Sequence, residues 1–180
     1  MIARMAHAPR TVGSACRAAV LPLLFAGALL WLTALVAAPV VVGRVDPAHP
    51  AFQAASAMYL AGAVVCHQRG ERSLHAGSVR LPVCGRCIGI YAGAVLGLAA
   101  AMAWPRRCAR ALVDRWTARR RWPWALAAAA VPAAALWLIE WTGTLTAATA
   151  NPARAASGVV LGAGVAWAVG MTVRAWLAPR

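Results

Sequence analysis

The chain contains no lysine, and only four of its 180 residues are acidic: Asp46, Glu71, Asp114 and Glu140. Charged residues make up 12% of the sequence, about half of the roughly one quarter carried by a soluble domain. The deficit is concentrated. No charged side chain occurs between Arg17 and Arg44, a longer stretch than the roughly 20 apolar residues that cross a hydrocarbon core of about 30 Å. Also missing are a phosphate-binding glycine loop, a Ser-His-Asp set and paired carboxylates, so no motif supports an ATPase or a hydrolase. The lack of Cys-x-x-Cys-His removes support for covalent haem attachment. Whether the chain is an enzyme is left open.

What is present is arginine. All 18 basic residues are Arg, and the net charge is +14. On a polar domain that balance would suggest a nucleic-acid partner. Here the arginines stand between and beside apolar runs, where loop charge sets membrane orientation. The expected partner is therefore the lipid bilayer, with no nucleic acid.

Four runs read as transmembrane helices: Ala18 to Val42, Cys87 to Trp104, Trp122 to Trp141, and Ala155 to Val173. A fifth, Ala51 to Val65, is short and carries Gln53 and Ser56, which suits an interfacial or re-entrant helix. Four spans with a cytoplasmic N-terminus place twelve arginines inside and six outside, whereas five spans give ten and eight at best. The positive-inside rule thus predicts four spans, both termini cytoplasmic, in the inner membrane of a bacterial cell. The expected fold class is all-α, a helical membrane bundle. Residues 1–50 would hold a tail and the first span, and residues 51–178 a Cys/His region with three more. The first apolar run is longer than a signal-peptide core, so it reads as an uncleaved span. Gly13-Ser14-Ala15-Cys16 precedes that run instead of following it and does not serve as a lipidation box.

Gly89, Gly93 and Gly97 recur every four residues, as do Gly158, Gly162, Ala166 and Gly170. Helices in lipid associate by close backbone contact, which small residues at this spacing permit. The two stripes could face each other, or either could join copies in a homo-oligomer. In Pro105 to Arg121, apolar Ala109, Leu112, Val113 and Trp116 fall at helical spacing among arginines. That pattern predicts an amphipathic cytoplasmic helix on the membrane surface, its arginines at anionic headgroups. Trp104, Trp122, Trp124, Trp141 and Trp176, near helix ends, suit interfacial anchoring.

The segment Cys66 to Tyr91 carries three of the five cysteines and two of the four histidines. Cys84 and Cys87 form a Cys-x-x-Cys pair, a spacing that lets two thiolates grip one metal or close one disulfide. Cys66 with His67, or with His75, would complete a four-ligand tetrahedral site suited to zinc. The leading ligand set is Cys66, His67, Cys84 and Cys87. A disulfide or thiol-exchange site, with Cys66 as resolving thiol, and plain packing of small apolar cysteines remain as alternatives. Arg72 and Ser73 are candidates to brace the cysteine loop. Tyr91 is either a packing residue or a polar tip at the site. Glu140 is the only acid within an expected span, so it should be paired, protonated or near water. An ion pair with Arg154 or Arg86 is the simpler account; a proton or cation site of a small transporter is the functional one.

Cys66-His67-Gln68, Arg72-Ser73 and Pro82-Val83-Cys84-x-Arg86-Cys87-x-Gly89-Ile90-Tyr91-x-Gly93 resemble the uncharacterised family of small prokaryotic membrane proteins called domain of unknown function 2085. The likeness continues through Glu140 and Asn151-x-x-Arg154-x-x-x-Gly158 and covers about residues 58 to 165. It implies membrane location and a shared Cys/His site, without an established activity. Where such families commonly carry Asp in a membrane helix, this chain has Glu140, whose longer reach could alter any pairing.

Overall fold

Inside a bilayer every backbone N–H and C=O must find its partner within the protein, which leaves helices as the natural way for this apolar chain to cross. The computed structural model describes residues 12–178, with the side chains of 19–146 and 149–178. Arg4, His7, Arg10, Arg180 and the side chains of Cys16 and Arg17 lie outside the described residues. The described chain forms α1 (Val12–Val42), α2 (Pro50–Val65), a 3-10 turn (Gly70–Arg72), β1 (Ser73–Ala76), β2 (Val79–Cys84), α3 (Gly85–Ala103), α4 (Arg106–Ala118), α5 (Trp122–Trp141) and α6 (Ala147–Leu177).

Four helices are long and apolar enough to span a membrane: Ala19–Val42 of α1, then α3, α5, and Thr149–Leu177 of α6. Their outward faces are apolar; Leu30, Trp124 and Leu138 are 72%, 78% and 61% exposed. Patches of that kind are untenable in water and natural in lipid. The fourth span starts earlier than the Ala155 expected from hydropathy, because Asn151 and Arg154 are tolerated in its first turns by partners described below.

The helix directions decide how often the chain crosses. Leu35 packs in one cluster with Ile88, the Trp31 and Tyr91 rings meet edge to face at 6.0 Å, and Leu21 packs with Leu98. Numbers rise on α3 as they fall on α1, so the two run antiparallel. A crossing by α2 would have made them parallel. The segment Ala51 to Val65 is therefore not a span. α3 and α6 run parallel instead: Gly85 abuts Asn151, Gly89 abuts Ala155, Gly93 abuts Val159 and Gly97 abuts Ala163. α5 makes the single return crossing between them.

That α3–α6 seam is the tightest contact in the bundle. From the other side, Gly158 rests on the Arg86 carbonyl and Gly162 on Ile90. The two glycine stripes face each other within one chain. The faces that could have joined copies through Gly89, Gly93 and Gly97, or through Gly158 and Gly162, are thus covered by the chain itself.

α4 is the amphipathic helix expected in Pro105 to Arg121, and its apolar side packs on the bundle. Ala109 is fully buried with Ala101 and Met171, and Leu112, Val113, Trp122 and Trp167 pack around them. Trp116 meets Trp122 and Trp167, and Trp104 meets Trp167, at ring separations of 5.1 to 6.4 Å. The apolar face of α4 closes the end of the bundle, and Trp104 and Trp122 join this aromatic packing.

A two-stranded antiparallel hairpin stands at the opposite end, pairing Ser73 with Cys84, His75 with Arg80 and Ala76 with Val79. Gly77 adopts φ +66° at its two-residue turn, a left-handed value that favours glycine. Gly77-Ser78 suits such a turn, although the expected all-α class included no strand. α2 lies along β2: Tyr59 Oη donates to the Arg80 carbonyl at 2.7 Å, and Gly62 lies against Pro82. His49 caps α2, its Nδ1 accepting from the Ala51 N–H at 3.1 Å.

Gly93→Leu, which would press a side chain into the Val159 carbonyl and Ala163 backbone, should cost about 3 kcal/mol or more of stability by overpacking. Gly27→Ala, facing nothing within 4 Å, should be neutral or mildly stabilising. Thermal unfolding in detergent micelles checks both; equal melting temperatures would show that the seam is not what holds α3 to α6.

Candidate cysteine pocket

Each cysteine of the pocket sits where a regular element begins or ends. Cys66 follows the last residue of α2 and caps it, its N–H bonded to the Gly62 carbonyl at 2.9 Å. Cys84 ends β2 and is the N-cap of α3, and Cys87 lies in the first turn of that helix. The strand-to-helix junction folds the Cys-x-x-Cys pair around the positive end of a helix, which favours thiolates. The three Sγ atoms all lie within 4.8 Å of one another. The Cys84 N–H also donates to Cys66 Sγ at 3.3 Å. Cys66 is buried, the other two are half-buried, and all three are free thiols. A hydrogen bond from the Cys87 thiol is the largest influence on Cys84 and holds its thiol well below the usual range, against the opposing effect of burial.

Neither histidine joins this group. His67 is exposed and lines the same cavity, of about 570 Å³, whose wall also includes Gln68, Arg69, Arg72, Trp137 and Trp141. His75 is exposed on β1 opposite Arg80. A zinc site formed from protein side chains alone would need His67 to turn inward. His75 sits on the hairpin, outside the cavity lining.

Behind the cysteines a polar network ties the hairpin to the bundle. Glu140 Oε1 accepts from Arg154 Nε at 2.9 Å and lies 3.6 Å from Arg86 Nη2. Arg154 Nη1 donates to Asn151 Oδ1 at 2.6 Å. Asn151 Nδ2 in turn donates to the carbonyls of Glu71 and Ser73, at 3.1 and 3.4 Å. Ser73 is buried and donates its hydroxyl to the Arg69 carbonyl at 3.1 Å. Two guanidiniums thus share one carboxylate, leaving a surplus positive charge, and Arg86 Nε has no hydrogen-bond partner. Both ion pairs considered for Glu140 are present. Tyr91 packs against Trp31 and the core around Cys66. Arg72 is exposed; its carbonyl lies near Gly85 and its residue borders the cavity.

Gln68, the third residue of the Cys66-His67-Gln68 motif, is a structural brace. It has φ +46° and donates from Nε2 to the Tyr59 and Pro82 carbonyls, locking the turn after Cys66 onto both α2 and β2. No spacing rule exposes such a brace, because its partners are backbone carbonyls brought near only by folding. Trp137 and Trp141, 5.3 Å apart on α5, also line the cavity; interfacial anchoring was the expectation for Trp141, and Trp137 had none.

Removing the Glu140 charge leaves Arg86 and Arg154 uncompensated in a site where the carboxylate is only 12% exposed. Glu140→Gln should therefore lower stability by about 3 kcal/mol, whereas Glu71→Gln, on an exposed side chain, should stay within about 0.5 kcal/mol. Detergent melting curves measure both; a harmless Glu140→Gln would mean the network carries no stability.

A family model described as "Predicted membrane protein (DUF2085)" matches residues 66–168, more than half of the chain, from Cys66 to within α6. No curated protein and no solved structure matches the chain. The match begins at the first cysteine of the pocket and takes in the other two, the Arg86–Glu140–Arg154 network and both glycine stripes except Gly170. The chain is a member of the DUF2085 family of membrane proteins.

Proposed function

We propose that this membrane protein holds a soft divalent metal ion, zinc foremost, on the thiolates of Cys66, Cys84 and Cys87. The carrying observation is the convergence of three thiols in one half-buried pocket. Sulfur ligands in tetrahedral array suit zinc, and a fourth position facing the cavity would be taken by His67 or by an exogenous ligand. Three thiolates around a divalent ion leave one negative charge, which the surplus positive charge of Arg86, Glu140 and Arg154 offsets nearby. The role would be structural or metal handling. By the arginine balance, both termini face the cytoplasm of a bacterial cell and the pocket faces outward across the inner membrane.

A second reading uses the same three sulfurs for thiol–disulfide exchange. Cys84 would attack a substrate disulfide and release one substrate thiol, and a resolving thiol, Cys87 or the neighbouring Cys66, would displace the other, so that two protein thiols become one disulfide while the substrate becomes two thiols. The close approach of the sulfurs in a compartment that permits disulfides favours it. Nothing comparable favours a transporter, because Glu140 is engaged by two arginines.

Metal analysis of detergent-purified protein, with thiol counting before and after reduction, separates the readings. One zinc per chain, lost in Cys84→Ser/Cys87→Ser and in Cys66→Ser, is the expected result; His67→Ala should weaken binding by about tenfold without abolishing it. Absence of metal, with two thiols appearing only on reduction, would replace the metal reading by the exchange reading. A reporter joined after Arg121 should be cytoplasmic; an external signal there would reverse the orientation.

A further inference from the structure

The opposite end of the bundle carries a charged feature that the cysteine pocket does not use. Packing of Ala109 against Ala101 and Met171 brings the first turns of α4 beside the last turn of α6. There Arg110 Nη1 donates to the Ala178 carbonyl at 2.9 Å. Arg174 is placed differently. Its Nε is buried without a hydrogen-bond partner, and the residue stands one turn beyond Met171 on α6, as Arg106 stands one turn before Ala109, the residue packed with Met171, on α4. Glu71 and Glu140 belong to the cysteine end, Asp46 follows the same end of α1, and Asp114 lies two turns further along α4. None of them pairs with Arg106 or Arg174 among the described residues.

Two arginines on adjoining helix turns, with no counter-ion among the described residues and one with a desolvated N–H, form an arrangement that an anion would relieve. The depth of the pair indicates the source of that anion. Arg106 follows exposed Trp104 by two residues and Arg174 precedes exposed Trp176 by two, at the ends of α3 and α6, and tryptophans at span ends mark the headgroup layer. At that level the abundant anion is the phosphate of a phospholipid, whose oxygens match the planar donor fork of arginine. Basic pockets between helix ends are suited to such headgroups. We propose that Arg106 and Arg174 form a specific site for the phosphate of an anionic phospholipid, seated between the first turn of α4 and the last turn of α6. Lipid bound there would tie α4 to the end of the bundle. This site is independent of the metal reading.

The full chain, purified and delipidated in an uncharged detergent, can be titrated with dihexanoyl phosphatidylglycerol, dihexanoyl phosphatidylcholine or inorganic phosphate while tryptophan fluorescence is followed. The anionic lipid should bind about tenfold or more tightly than the zwitterionic one, and Arg106→Gln or Arg174→Gln should each remove most of that preference. Arg115→Gln, an equal charge change elsewhere on α4, should leave it intact. Arg106 is exposed, so its variant remains informative if Arg174→Gln fails to fold. Equal binding of the two lipids would overturn the site, as would an equal loss in Arg115→Gln. Inorganic phosphate binding as tightly as the anionic lipid would overturn the lipid as its source.

Discussion

The backbone contact between α3 and α6 is the constraint on which the rest of the molecule depends. Two helices in lipid gain nothing by burying leucine against leucine, so dispersion at short range must hold them. Glycines at four-residue spacing let the α3 backbone reach the carbonyls of α6 along the seam. A contact this close has one register, and the register places Gly85 against Asn151. Everything polar at the cysteine end follows from that placement: Arg154 and Asn151 come level with the start of α3, within reach of Glu140 and of the hairpin carbonyls.

The cysteine pocket in turn depends on the polar network. β2 leads directly into α3, so the position of Cys84 and Cys87 is set by how α3 begins. Cys66 arrives from the other side, at the end of α2, and would be free to swing without Gln68 fastening the turn to Tyr59 and Pro82. Donors tied to backbone carbonyls at this depth have little water to compete for them, so each bond resists opening. The same fold holds the three thiols together at the wall of the cavity.

Much of the architecture was legible in composition. Four long apolar runs and arginines between them are direct statements of membrane cost, and no tertiary contact could turn Ala18 to Val42 into a soluble segment. The motif from Cys66 to Tyr91 was equally plain as a place where thiols gather. Less legible were the hairpin, marked only by Gly77-Ser78, and the roles of Gln68 and Tyr59, which act through backbone carbonyls distant in sequence. Hydropathy set the start of the fourth span too late because it counts Asn151 and Arg154 as costs, while in the folded chain both are partnered.

By itself, the sequence determined that the chain lives in a membrane, which runs cross it, and which residue types could bind a soft metal, because each of these depends on local transfer free energy or on ligand chemistry. Tertiary structure alone decided three further matters. It laid α2, which the arginine balance had already left out of the spans, along β2. It turned the glycine stripes toward each other and the apolar face of α4 toward the bundle. And it gathered Cys66, Cys84 and Cys87 without either histidine, because the end of α2 and the strand-to-helix junction meet at the sulfurs, while His67 stays exposed at the cavity wall and His75 on the hairpin.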